Sequence, residues 1–173
     1  MQKRWFIKQR PNAQQIHELE TNLKVSPLMA ALLAQHNLTT HEQVRSFFDP
    51  PAITTHDPFL MKNMDLAVER LNAAVTAKET ILVFGDYDVD GTTSVALVYS
   101  VLQPYTSVHF YIPDRYEEGY GLSFQGIDEA KRLGATLVIA LDCGIKEVEK
   151  VRYAREMGID VIVCDHHTPG EEL

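Results

Sequence analysis

The stretch ILVFGDYDVDGTTS, residues 81–94, runs four apolar residues through Gly85 into three carboxylates on alternate positions, Asp86, Asp88 and Asp90. A short β-rich run that stops at a glycine and an acid predicts a strand ending in a tight turn, and Thr92, Thr93 or Ser94 is suited to cap a following helix. Three like charges so close raise one another's pKa unless something positive faces them. One turn needs fewer acids than this to cap its amides.

The same strand-then-acid pattern recurs outward from it. ILVFGD, SVHFYI, TLVIALD and DVIVCD are short apolar runs, separated by helical stretches near 92–103, 124–133 and 146–157. Continuous apolar strands alternating with helices predict an α/β fold, an open, mostly parallel sheet buried by helices on both faces. Asp86, Asp142 and Asp165 close three of the four runs, so they gather at the carboxyl rim where such sheets carry their sites. Divalent metal is the simplest compensator for that charge. MKNMDLAVERLNAAVTAKE, residues 61–79, predicts an amphipathic helix with Leu66, Val68, Leu71, Ala74 and Val75 as its buried stripe. Residues 11–48 show helical periodicity in short pieces, at Leu28, Leu32 and Leu33 and again at Val44, Phe47 and Phe48, with Asn37 and Asp49 as stops. DPPAITTHDPF, residues 49–59, holds three prolines and reads as an extended connector. The expected organisation is a small helical lead-in with its connector over residues 1–58 and the α/β domain over residues 59–173.

A chain of 173 residues with 45% hydrophobic and 23% charged residues is built to bury one ordinary core. Its net charge of −8 argues against broad adhesion to phosphate backbones, so any nucleic-acid site is local. The basic run Lys3, Arg4, Lys8 and Arg10 reads as a solvated tail before a DNA arm. No apolar core or cleavage site of a secretory signal opens the chain, which makes a cytoplasmic location the default expectation. The longest run without Lys, Arg, Asp or Glu, Gly91 to Ile112, contains Thr, Ser, Gln, His and Pro104, so no membrane span is expected there. Cys143 and Cys164 follow apolar runs without CxxC spacing and read as reduced, partly buried thiols.

Three chemistries compete for the opening stretch. A calcium loop also begins D-x-D-x-D-G, but its twelfth position is Leu97 where a glutamate is required. The haloacid-dehalogenase phosphatase motif D-x-D-G-T is matched by Asp88-Val89-Asp90-Gly91-Thr92, with the first aspartate as nucleophile and the second as acid or base. VIVCDHHTP, residues 161–169, favours a third reading. Consecutive histidines project in different directions, so one can ligate metal while its neighbour meets substrate, and Asp165 is placed to orient an imidazole. With Asp142 of DCG this makes an oxygen-and-nitrogen donor set that suits Mn²⁺ or Mg²⁺, and Zn²⁺ less selectively. In IPDRYEEGYGLS, residues 112–123, Arg115 follows a strand and two glycines precede a helix, so a guanidinium and free amides can converge on an anion. The plainer alternative pairs Arg115 with Glu117 or Glu118. Tyr116 and Tyr120 are suited to base stacking or to packing.

GDYDVDGT, LDCG and DHHTP, in that order, resemble the first three motifs of the DHH phosphoesterase superfamily. HDPFLMKNMDLAVERL, IPDRYEEGYGLS and the lead-in helices resemble its branch of single-strand-DNA-specific exonucleases. The resemblance implies metal-dependent 5′-to-3′ hydrolysis of single-stranded DNA in repair and recombination, with two Mn²⁺ or Mg²⁺ ions. It implies Asp88, Asp90, Asp142 and His166 as metal ligands, Asp142 as their bridge, and Asp86 as a further candidate in place of a histidine that other branches carry where Phe84 stands. It implies His167 as the group facing the scissile phosphate, Asp165 as its support and Arg115 as a DNA-phosphate contact. The partners it implies are single-stranded DNA, a helicase and a single-strand-binding protein. The superfamily also has a fourth metal-binding motif and an associated domain, so the chain is expected to be an N-terminal fragment with an incomplete site and weak or no activity alone. Relatives that cut short oligonucleotides or cyclic dinucleotides, and relatives that only bind DNA, share parts of this pattern.

Overall fold

The structure, a computed structural model, describes residues 4–50 and 55–171. It divides into two compact units, Met1–Asp57 and Pro58–Leu173.

The first unit holds α1 (Ala13–Leu23), α2 (Pro27–Gln35) and α3 (His41–Phe48). Each start is written locally: Asn12, Ser26 and Thr40 accept from the amides of Gln14, Met29 and Gln43, and Gln43 reaches back to complete a capping box. After α2 the backbone turns left-handed at Asn37, and Asp49 caps α3, as the sequence suggested. The core comprises Leu19, Ala30 and Leu33. Of the apolar residues that mark the period, Leu28, Leu32, Phe47 and Phe48 are 73%, 44%, 63% and 65% exposed. The reason is that PLMAALLAQ is apolar nearly all round, so its period cannot choose a face, and packing against α1 selects the side with Ala30 and Leu33. Of the expected connector, residues 51–54 lie outside the described residues, and its end is a single 3₁₀ turn, Pro58–Leu60.

The second unit runs α4 (Met64–Thr76), β1 (Thr80–Gly85), α5 (Val89–Leu102), β2 (Ser107–Tyr111), α6 (Phe124–Arg132), β3 (Ala135–Leu141), α7 (Val148–Glu156) and β4 (Asp160–Cys164). All pairings are parallel and the strand order is β2-β1-β3-β4, the predicted open α/β sheet. Alternate residues of the central strands serve opposite faces. Ile81, Val83, Leu137 and Ile139 pack beneath α4 and α5 with Ala74, Val95 and Leu102. Leu82, Phe84, Val138 and Ala140 pack beneath α6 and α7 with Ile127, Ala130 and Ala154. Ile81 to Phe84 are fully buried, and each such side chain contributes about 1.5–3 kcal/mol relative to exposure. Burial on both faces holds for β1 and β3 only, because β2 and β4 are the edges and Phe110 of β2 is 60% exposed. Leu66 also departs from the expected stripe at 58% exposure, since it sits in the first turn of α4, while Leu71, Ala74 and Val75 pack inward and Val68 is half-buried.

The uncharged run Gly91 to Ile112 is α5, a turn and β2, and among the described residues no helix is long and apolar enough to cross a membrane. At the amino-terminal end of the sheet, Arg70 of α4 donates to Asp160 Oδ2 at 2.6 Å, Glu79 Oε2 at 2.8 Å and the Thr136 carbonyl at 3.4 Å. One guanidinium thereby ties α4 to the chain entering β1, β3 and β4.

Candidate active site

The connection from β1 leads to β2 on one side, and β3 lies on the other, so the chain reverses direction across the sheet at the carboxyl ends of β1 and β3. At such a switch point the loops diverge and leave a crevice. GDYDVD follows β1, DCG follows β3 and DHHTP follows β4, which brings all three motifs to this rim.

After β1 the chain enters α5 at least four residues earlier than the expected cap at Thr92, Thr93 or Ser94. Asp88 is the N-cap, with Oδ1 accepting from the Gly91 amide at 3.0 Å, and Thr92 and Thr93 bond back to the carbonyls of Asp88 and Val89. Gly91 is required for this path, since a Cβ there would lie 2.3 Å from the Asp86 carbonyl oxygen. Asp88 and Asp90 are exposed, whereas Asp86 is fully buried below them. Its Oδ1 accepts from the Gly121 amide at 3.4 Å, and its Oδ2 is buried without a hydrogen-bond partner among the described residues. A buried carboxylate oxygen left so is costly unless a cation or polar group reaches it.

β3 ends at Leu141, and the next residue, Asp142, has a left-handed backbone at φ 59° while its amide still donates to the Cys164 carbonyl at 2.8 Å. Aspartate tolerates that conformation better than most residues. Its carboxylate Oδ1 lies 3.0 Å from His166 Nε2, and Asp142, His166 and His167 offer donor atoms within 4.8 Å of one another. Burial, then the charges of Asp88 and Asp90, push the Asp142 carboxyl up, with His166 and His167 pulling the other way.

Asp165 accepts from three donors: the Ile145 amide and the His167 amide, each at 3.0 Å, and His167 Nδ1 at 2.7 Å. Burial alone would raise this carboxyl, but those bonds outweigh it and hold it below the usual range. The hydrogen bond to Asp165 in turn raises the His167 imidazole, against partial desolvation and the charge of Lys146. With a carboxylate at Nδ1, the proton assigned there is fixed and Nε2 is left for other work.

The sequence alone does not assign Tyr120 to this machinery. Its hydroxyl donates to the Asp142 carbonyl at 3.0 Å and lies 3.3 Å from His167 Nε2, linking the loop before α6 to both other motifs. Burial, then Asp142, Asp86 and Asp165, push the phenol up to about 12. The signal available in the sequence is its position between Gly119 and Gly121, both at positive φ. Glu118 organises the same loop, accepting from Tyr111 Oη at 3.0 Å, the Asp114 amide at 2.8 Å and Ser123 Oγ at 2.5 Å. The alternative pairing of Arg115 with Glu117 or Glu118 does not form; its guanidinium lies over the Tyr87 ring, 5.3 Å from the centroid. Tyr116 is 94% exposed.

The structure thus groups Asp142, His166, His167 and Asp165 tightly, with Asp88 and Asp90 close enough to act on Asp142 by charge. Asp88 and Asp90 stand outside the 4.8 Å group, as does Asp86. The donor set fits a hard divalent ion: carboxylate oxygens and imidazole nitrogen, a buried unpartnered carboxylate oxygen nearby, and mutual repulsion to relieve.

A family model described as DHH family, N-terminal domain, matches residues 80–173. The single-stranded-DNA-specific exonuclease RecJ of Bacillus subtilis (strain 168) is 42% identical over 171 residues, 98% of this chain and 22% of that protein. RecJ from Thermus thermophilus, solved in complex with Mn²⁺, superposes with a TM-score of 0.65 at 30% identity, over 97% of this chain and 23% of that one. A manganese-bound exonuclease RecJ gives 0.59 at 38% identity, over 64% of this chain and 29% of that one. The chain therefore spans about a fifth of the length of the curated relatives it matches. With three motifs on one rim and the family model over the whole sheet, the chain belongs to the DHH family.

Proposed function

We propose that this chain carries the metal-binding and proton-handling part of a nuclease that hydrolyses single-stranded DNA from its 5′ end. The observation that carries the reading is the group of Asp142, His166 and His167 at the switch point, backed by Asp165. Relatives named as single-stranded-DNA-specific exonucleases, and RecJ structures solved with manganese, support it.

Asp88, Asp90, Asp142 and His166 would hold Mn²⁺ or Mg²⁺, with Asp86 beneath them as a further oxygen donor. When bound there, such ions supply a Lewis acid that lowers the pKa of an attacking water and neutralises phosphoryl charge. His167 is held by Asp165 at Nδ1, so Nε2 is the atom that meets the scissile phosphate, and in the imidazolium form that Asp165 favours it donates to a phosphoryl oxygen or to the leaving oxygen. Tyr120 fixes the approach of that ring to the Asp142 turn. Arg115, with no carboxylate partner among the described residues and held over Tyr87, would take a DNA phosphate.

Because the chain spans only 22% of its Bacillus relative, it is proposed to hold only part of the centre and to cut weakly alone. Repair or recombination, a cytoplasmic location, and a helicase and a single-strand-binding protein as partners belong to this same reading.

The test is digestion of 5′-phosphorylated single strands with Mn²⁺ by the longer protein that contains this chain. Release of mononucleotides, lost in Asp142→Ala, is expected. Preference for dinucleotides would shift the reading to a small-substrate phosphodiesterase, and binding without cleavage would make it a DNA-binding subunit.

A further inference from the structure

Resting on the nuclease reading, we infer that Lys146 is a second phosphate contact, taking the strand on the flank of the site away from Arg115. Lys146 lines the cleft beside the motifs together with Tyr120, Gly144, Asp165 and His167. It stands at the turn from β3 into α7, while Arg115 stands in the loop that follows β2. In the strand order β2-β1-β3-β4 these two loops lie on opposite sides of the crevice between β1 and β3. A single strand crossing that crevice over Asp142 and the two histidines meets one cation on entry and the other on exit.

The neighbours of Lys146 leave its charge available. Glu147 is paired to Lys150, and Asp165 is occupied by Ile145 and His167. Among the described residues no carboxylate lies within 4.0 Å of the Lys146 ammonium. Its side chain is exposed, yet its charge is felt at the His167 ring. The rim otherwise carries Asp88, Asp90, Asp142 and Asp165 in a chain of net charge −8, so a polyanion needs local cations to approach it. A lysine suits this place because an ammonium binds phosphate as a point charge and needs no planar partner.

The experiment titrates a dye-labelled, 5′-phosphorylated phosphorothioate oligothymidine, which resists cleavage, into the 173-residue chain with Mg²⁺ at a series of salt concentrations, reading fluorescence anisotropy. Loss of one phosphate contact on a single strand lowers the slope of log K against log salt by about 0.7. Lys146→Gln is expected to show that loss with an unchanged melting temperature, and Lys146→Arg to restore the slope. A Lys146→Gln slope equal to that of the parent chain, with the parent binding in a salt-dependent way, overturns the Lys146 contact alone. A parent chain that does not bind the strand, or binds it without salt dependence, also overturns the Lys146 contact, whereas the nuclease reading stands or falls separately on digestion by the longer protein.

Discussion

Replacing Gly91 with alanine would place a methyl carbon 2.3 Å from the Asp86 carbonyl oxygen and 2.6 Å from the Asp86 amide nitrogen. Both atoms belong to the backbone where β1 ends, so no rotamer change relieves the contact, and α5 and the strand must separate. Overpacking of this kind costs about 1–3 kcal/mol, and a backbone neighbour puts the case at the upper end. The gain from replacing a helical glycine, about 0.5–1 kcal/mol, offsets part of it. A net loss of about 1.5–2.5 kcal/mol remains, which lowers the melting temperature of a domain of this size by roughly 4–12 °C. Circular dichroism melts of Gly91→Ala beside Ser100→Ala isolate the effect. Ser100 is exposed in the same helix and its hydroxyl donates to the Ala96 carbonyl, so its substitution is expected to be neutral or slightly stabilising. A Gly91→Ala chain that melts at or above the parent temperature would refute the close approach of α5 to β1, and with it the placement of Asp88 and Asp90 over Asp86.

Other consequences are as direct. Hydrogen bonds from Thr136 and Arg70 hold the Glu79 carboxyl below its usual value, so its contribution is fully present above the unfolded value of 4.5 and is lost as pH falls through the lower folded one. Melting temperature should therefore drop below that pH less steeply in Glu79→Gln than in the parent chain. Burial pushes both thiols up, Cys143 to about 12, but Cys164 is the exposed one of the two, so a thiol reagent at pH 8 should label Cys164 and spare Cys143 until the fold opens, as peptide mapping would show. Asp165→Asn turns an amide N–H toward one of three donors and should cost about 1–3 kcal/mol in urea unfolding, while ¹⁵N spectra of the His167 ring should show its Nδ1 proton no longer fixed.

The strand-and-acid periodicity carried the sheet, because the apolar runs of β1 and β3 are buried on both faces. It failed where neighbours decide. The face of α2 is chosen by α1, and the exposure of β2 and β4 follows from strand order, which periodicity does not encode. At the site, DHH and DCG were legible because their residue types have few other uses at strand ends. Asp88 shows the limit of that reading, since one of its oxygens caps α5 as the plainer turn interpretation held, leaving the other for the rim. The contact of Tyr120 with Asp142 and His167 spans 22 and 47 residues and had no local signature beyond its flanking glycines.

The claim that Asp142, His166 and His167 mark a divalent metal site is tested most directly by adding substoichiometric Mn²⁺ to ¹⁵N-labelled chain and following paramagnetic broadening of amide resonances, which detects even weak binding. Amides of Asp88, Asp90, Asp142, His166 and His167 should broaden first, and Asp142→Asn should abolish that preference. Broadening spread evenly over exposed acids such as Glu18, Glu42 and Glu149, or unchanged by Asp142→Asn, would contradict it.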